Sequence, residues 1–460
     1  MKMKYFFPLI TALLLPFFAS AQESLNTSLV YHWSNTELPP SSFHLNTYNE
    51  IWGYAADNRE YAIIGSTMGT HIFNITDPEI AQEDFFIPGA AQGSNIVHRD
   101  YDDYEGYLYI VCDEGPSSLQ IVDLHELPSD VEVVYDSNSL FSRSHNIFID
   151  KANAMMYVCG GNYQLDLYSL EDPLSPQLVV RCQNDIENWS SIIGYIHDIY
   201  VEDNIAYCNA GHGLYVVDFT DPLNPDFLGD LTGYPEAGYN HSGWLRPDGA
   251  YYALADETHG TRIKLIDVAN IADMEIVSYM GTGIHPSSIA HNLIFTDNIL
   301  HVSYYHDGYQ VWDTTNPLSP ERIAYFDTST EVHTTNYRGA WGIYPFLPSG
   351  RILVSDMQEG LFVLEIDVAN GISESEKNEL QAYPSITNPG GRVYLDLQDQ
   401  FQNTRAEIWS LSGALVSNQQ LNNTSGSITH VDLPTDIEAG MYVLRIFANE
   451  NSKATKIIVR

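Results

Sequence analysis

The chain has 460 residues and a formal net charge of −40, from 20 Lys and Arg against 60 Asp and Glu. That length accommodates two or three domains. A field of this sign repels nucleic acid and anionic membranes, which excludes nucleic-acid binding, and it attracts cations or cationic partners. The plainer reading of the charge is solubility. It lies before residue 377, because residues 377–460 are close to neutral.

The chain begins MKMKYFFPLITALLLPFFASAQ. Two lysines, a short apolar core and Ala19-Ser20-Ala21 predict a secretory signal peptide over residues 1–21. No Cys follows the cleavage site, which argues against a lipid anchor. No later apolar run is long enough to cross a bilayer, so no transmembrane segment is expected.

From residue 22 to 370 one unit recurs. Its clearest copy is His197–Pro225: strand, tight turn, strand, polar loop, strand, Asp-Pro turn. The runs HDIYV, IAYC and LYVVDF alternate apolar and polar residues, the period of half-buried strands. Aligned on the first strand, the markers are Trp52, His98, His145, His197, His241, His291 and Trp341, spaced 44–52 residues apart. That is the period of a four-stranded propeller blade. Third strands recur as LQIVD, LYVVD, IKLID, YQVWD and LFVLE, and turns as TDPEI, EDPLSP, TDPLNP and TNPLSP. The seventh unit lacks a fourth strand. Leu29–Trp33 resembles the outer strands elsewhere and is expected to supply it, closing the ring and removing two sheet edges.

The expected fold is therefore all-β: a seven-bladed β-propeller closed by an N-terminal strand. Residues 371–379 are polar and aperiodic and read as a linker. Residues 380–460 hold short strands expected to form a small β-sandwich. Four Cys (112, 159, 182, 208) allow three full pairings. Cys182 with Cys208 is the first pair to test, against a plainer reading of free buried thiols.

Propeller geometry brings two loops to one end of the ring: the loop leading into each innermost strand, and the loop joining second and third strands. Eleven of the 16 histidines fall there. His98, His145, His197, His241 and His291 start innermost strands. His44, His285 and His333 lie in the preceding loops, and His212, His259 and His306 in the second-to-third-strand loops. The same loops carry Asp113, Glu114, Asp256, Glu257, Asp307, Asp356 and Glu359. The expected ligand-contacting set is His98, His145, His197, His212, His241, His259, His291, His306, Trp52 and Trp341. Imidazole and carboxylate at a concave mouth suit a divalent metal or general acid–base work, and the candidate metal set is His197, His241, His291, Asp256 and Asp307. No local metal signature such as HxH, HExxH or CxxC is present, so any such site is assembled across blades.

A structural alternative is that these histidines fasten blades, as in WD-repeat propellers, with His241 bonding Asp256 or His291 bonding Asp307. The acidic run Asp100–Glu105 lacks the glycine spacing and terminal Glu of a calcium loop and reads as a solvated hairpin turn. No GxSxG elbow and no phosphate loop in strand–helix context is found.

Two resemblances add to this. Tyr383-Pro384-Ser385, Asn388-Pro389, Ile408-Trp409-Ser410-Leu411-Ser412-Gly413, Asp432-Leu433-Pro434, Gly440–Arg445 and the terminal Lys456–Arg460 resemble the type A C-terminal sorting domain of the type IX secretion system of Bacteroidetes. Ser385 stands where that family often has Asn. The resemblance implies engagement of the type IX machinery through residues 380–460, and a final location outside the cell or on its outer surface. The LQIVD and LYVVD strands and the SHNIFID and AHNLIF starts resemble the LVIVD-repeat, choice-of-anchor B proteins. That implies a propeller and transfers no catalytic residue.

Three functions stay open. The favoured one is a non-enzymatic module binding an unknown extracellular ligand or protein at the propeller mouth. The alternative is a metal-assisted hydrolase or lyase using several of His98, His145, His197, His241, His259, His291 and His306. The third is a structural component of the envelope.

Overall fold

The computed structural model describes residues 23–329 and 331–367, and most strands between 381 and 459. The expected signal peptide and linker lie outside the described residues. Two compact units are present, Met1–Val368 and Ala369–Arg460.

The first unit is built from seven antiparallel sheets, each with four consecutive strands except at the closure. The innermost strands are Tyr48–Ala56, Arg99–Tyr104, Asn146–Asp150, Asp198–Glu202, Asn240–Leu245, Leu293–Thr296 and Ala340–Tyr344. Each packs on the next, and the last packs back on the first. The ring is closed around a central channel.

Local chemistry explains why the unit repeats. Three of the first hairpins turn through pairs of residues with positive φ: Asp57 and Asn58, Glu105 and Gly106, Asp203 and Asn204. Such pairs match the right-handed twist of the flanking strands. The aspartate ending each LVIVD-like strand turns the chain. Asp123, Asp218, Asp267 and Asp313 each accept the backbone N–H two residues on, at 2.8–3.0 Å. In the next turn Asp77, Asp172, Asp221 and Asn316 do the same at 3.1–3.3 Å. Short Asx side chains that bond their own backbone make these turns self-sufficient.

Closure uses the N-terminus. Thr27–Trp33 pairs with Gly360–Ile366 as the outer strand of the seventh blade, Thr27 opposite Ile366 and Trp33 opposite Leu361. A register shift separates third from outer strand in every blade, and here it falls between Leu29 and Tyr31. The N-terminal strand thus carries the same bulge as the other outer strands. Ser24–Leu25 pairs with Glu321–Phe326 of the sixth blade, so one segment ties two blades together. Trp33 packs on Tyr48, His71 and Phe73 of the first blade, with ring centroids at 5.6, 5.0 and 4.8 Å. Trp33→Ala is expected to lower the stability of this unit by about 2–3 kcal/mol, less than for a fully buried aromatic. Urea denaturation followed by tryptophan fluorescence reads this, and a loss under about 0.5 kcal/mol would show that the seam does not depend on the indole.

The acidic run does not form a solvated turn. Arg99–Tyr104 is the innermost strand of the second blade, and Asp100 and Asp102 are buried. Asp100 Oδ2 accepts the Ile147 N–H and Asp102 Oδ2 the Ile149 N–H, both at 2.7 Å. An innermost strand has one edge without a strand neighbour. Here two carboxylates bond the N–H groups that the edge of the third blade leaves free.

All four cysteines are free and buried, and Cys159, Cys182 and Cys208 share one apolar core. The long interval between His145 and His197 holds two helical turns, Cys182–Asp185 and Trp189–Ile192. The second unit has a three-stranded and a five-stranded sheet. Its core includes Val393, Ile408, Val431, Leu444, Ile446 and Ile457.

Candidate functional site

Five histidines and one tryptophan form a closed cycle at one end of the channel. Ring centroids run His98–His145 at 4.6 Å, His145–His197 at 4.2 Å, His197–His241 at 4.2 Å and His241–His291 at 4.5 Å. Trp341 completes it, 4.3 Å from His291 and 5.2 Å from His98. Each ring comes from the start of a different innermost strand. The first blade contributes no ring; it contributes Glu50, whose carboxyl sits against Gly342. A Cβ at Gly342 would lie 1.7 Å from Glu50 Oε1, so glycine leaves the space that the carboxyl fills.

The cycle opens onto a polar layer of Glu50, Asp100, Asn146, Asp198 and Asn292, which the next section of the channel shares. Beyond it the walls turn apolar, with Trp52, Phe148 and Trp244. The two spaces are narrow, about 30 and 70 Å³, with room for only a few water-sized groups.

The five imidazoles are held differently. His98 Nδ1 donates to Glu114 Oε1 at 2.7 Å, and His145 Nδ1 to Asp113 Oδ2 at 2.9 Å. His291 Nδ1 donates to the Trp341 carbonyl at 2.7 Å. His197 and His241 are buried, and neither Nδ1 has a hydrogen-bond partner among the described residues. Burial and the neighbouring imidazoles hold both well below the ordinary histidine range. Burial takes His291 down to about 3. The acids move the other way. Burial raises Glu50 to about 8 and Asp198 to about 7, and burial plus the Glu50 carboxyl raises Asp100. His197, His241 and His291 are therefore neutral at pH 7, and Glu50 is largely protonated, because a charge would lose its hydration there.

The other expected contact residues are distributed as follows. His212 lies within its own blade, its Nδ1 donating to the Ala210 carbonyl at 2.9 Å and its Nε2 accepting from the Tyr215 hydroxyl at 2.7 Å. His259 and His306 belong to a second group. His306 stacks on His333 at 5.1 Å, His333 on His285 at 4.8 Å, and His259 lies 5.4 Å from Tyr337. His44 is 5.5 Å from the same Tyr337. The Nε2 atoms of His259 and His306 are buried without a partner among the described residues.

Three expectations are corrected. Trp52 is not level with the histidines. It pairs with Ile63, and its indole N–H donates to Asp103 Oδ1 at 2.9 Å, in the apolar section of the channel. A register shift between Tyr48 and Ile51 displaces the first blade's alignment. Asp256 does not face His241. It is fully buried against the Lys264 ammonium and accepts the Tyr234 hydroxyl at 2.7 Å. Asp307 does not meet His291. It accepts the Thr282 hydroxyl, and its Oδ1 is 2.9 Å from His333 Nε2.

The acid that reaches the buried pair is Glu257, one residue past Asp256; its Oε2 is 3.8 Å from His241 Nε2. Glu50 and Asp198 were missed as site residues. Glu50 is the one acid in its innermost strand, and Asp198 opens its own, directly after His197.

The fold and this channel define an all-β propeller with a histidine-lined mouth. Residues 382–460 match the family described as the secretion system C-terminal sorting domain. The chain thus ends in a type IX sorting tail, which directs export to the cell surface or the extracellular space. Among solved structures, the extracellular domain of the hybrid two-component system BT3049 from B. thetaiotaomicron is similar, with TM-score 0.52 and 13% identity over 95% of this chain and 57% of that one. PorZ, a surface component of the type-IX secretion system of Porphyromonas gingivalis, aligns with TM-score 0.46 and 13% identity over 92% of this chain and 61% of that one. The Cps50 (Swd1) β-propeller domain of Myceliophteria thermophila aligns with TM-score 0.49 and 8% identity over 74% of this chain and 98% of that one. The chain spans less than two thirds of the first two proteins. At these identities the likeness concerns the fold alone. Comparison with curated proteins gives no match. No helix among the described residues is long and apolar enough to cross a membrane.

Proposed function

We propose that the chain is an exported propeller of the LVIVD-repeat type, kept at the outer surface or released, that binds a small extracellular ligand at the histidine-lined mouth without transforming it. The observation that carries this reading is the cycle of five imidazoles and one indole around a single opening. Its members come from six blades, so the cycle is a property of the closed ring and not of one repeat. Rigid walls and a hydrogen-bonding lining suit recognition at low ordering cost.

The test is a thermal-shift panel on the mature chain, covering divalent cations, oligosaccharides and peptides, with Trp341→Ala as comparison. A saturable rise in Tm that the variant loses supports binding at the mouth. A rise of equal size in both proteins places the ligand elsewhere and sinks the reading. Turnover of an ester, glycoside or phosphoester by the wild type, absent in His241→Ala, would favour the hydrolase or lyase alternative.

A further inference from the structure

Two groups at the mouth bring three metal-ligating side chains together: His98, Asp113 and His145, and separately His197, His241 and Glu257. In each, one ligand atom per residue lies within 4.8 Å of the others. The fold accounts for the first group. His98 and His145 each spend Nδ1 on a carboxylate, Glu114 or Asp113, so these contacts are complete as hydrogen bonds.

The second group is left incomplete. His197 is 7% exposed and His241 3%. Both Nδ1 atoms lack a partner among the described residues. Whichever tautomer each ring adopts, a donor or a lone pair is stranded. Neither ring is tied to a carboxylate through Nδ1 as His98 and His145 are, and a neutral ring that carries its proton on Nδ1 keeps the Nε2 lone pair for a ligand. Glu257 closes the group, and its Oε1 is fixed by the Tyr305 hydroxyl. An outer partner holding a carboxylate in place is a usual accompaniment of metal ligation.

We propose that His197, His241 and Glu257 bind one divalent transition-metal ion of the zinc class. This deepens the reading of the mouth as a binding site and rests on it. Two imidazoles and a carboxylate suit zinc, copper or nickel better than calcium or magnesium, which prefer all-oxygen shells. Ligand atoms about 2.0–2.2 Å from tetrahedral zinc lie about 3.4 Å from each other. The 3.8 Å between His241 Nε2 and Glu257 Oε2 needs only a small side-chain adjustment. Three protein ligands leave a position for water or for a ligand arriving through the channel.

The experiment is calorimetric titration of the chelator-treated mature chain with zinc, and with cobalt followed by visible absorption. One ion per chain is expected, with a cobalt spectrum of tetrahedral intensity. His241→Ala is expected to weaken binding at least 100-fold, and Glu257→Gln at least tenfold. His98→Ala with His145→Ala should leave it within threefold. Glu257→Gln keeps the test decisive should His241→Ala fail to fold. No binding at equimolar zinc overturns the proposal, as does binding indifferent to Glu257→Gln, or binding lost only with His98 and His145. If zinc fails while a metal-free ligand still raises Tm in a Trp341-dependent way, the metal proposal falls and the binding-site reading stands.

Discussion

Lys264→Ala is expected to destabilise the propeller by about 3–5 kcal/mol, the cost of removing one partner from a buried ion pair. Lys264 and Asp256 are both fully buried, and the ammonium contacts the carboxylate directly. Its other partner is the Glu236 carbonyl, at 2.8 Å. Alanine would leave Asp256 with the Tyr234 hydroxyl alone. It would also leave a cavity where the lysine stem lay, and the two effects add. The double variant Lys264→Met, Asp256→Leu removes both charges while keeping most of the volume, and should recover most of the loss. Urea denaturation of the three proteins checks this. Single and double variants of equal stability would mean that the uncompensated carboxylate is not the cause.

The second large effect is a stability profile with a flat top at mildly acidic pH. Buried carboxyls raised in the folded state favour folding below their ordinary range, and that contribution fades as pH rises through the folded value. Glu50 reaches about 8, and Asp102, Asp198 and Asp356 about 7. Imidazoles lowered in the folded state behave oppositely: their contribution is present above about pH 6.5 and fades as pH falls. His291 and His301 both reach about 3. Between about pH 4.5 and 6.5 the two sets oppose each other. Above that only the carboxyls act and stability falls; below it the imidazoles act and stability falls again.

Glu50→Gln tests the alkaline limb. The side chain faces Asp198, Asp100, Asn292 and Trp341. The Ile51 N–H now bonds Glu50 Oε1 at 3.0 Å and Asn292 Nδ2 bonds Oε2 at 2.9 Å. Glutamine keeps one acceptor, for Ile51, and its amide nitrogen pairs with Asn292 once that amide turns its oxygen inward. Between about pH 6.5 and 9 the variant should lose about 2 kcal/mol less stability than the wild type, and the two should converge near pH 5. Melts with EDTA present exclude any contribution from bound metal. Parallel curves across that range would show that Glu50 does not titrate as its burial implies.

Much of this architecture was legible because the repeat states its turns locally. Asp218, Asp221 and their counterparts bond the backbone two residues on, so each turn is written in two or three letters. The N-terminal strand was legible for a related reason: SLVYHW has the composition of the other outer strands, and the chain otherwise ends one strand short. The tail was carried by its motifs.

What stayed hidden depends on contacts between blades. Asp113 serves His145 of the following blade, Asp100 and Asp102 serve backbone across a blade boundary, and His291 uses a carbonyl rather than a carboxylate. A carbonyl acceptor leaves no trace in side-chain spelling. Trp52 was misplaced for a different reason: an extra residue in its strand shifts the register, and counting from a marker cannot detect a bulge.

The borrowed outer strand has a consequence for how the ring comes into being. Thr27–Trp33, made at the start of the propeller, has no strand partner until the propeller's last strand, Gly360–Ile366, has been made. The ring therefore cannot close progressively during synthesis. Should the two ends fail to meet within one molecule, the vacant edge matches the same segment of a second molecule, and pairing of that kind would join two open rings by reciprocal strand exchange.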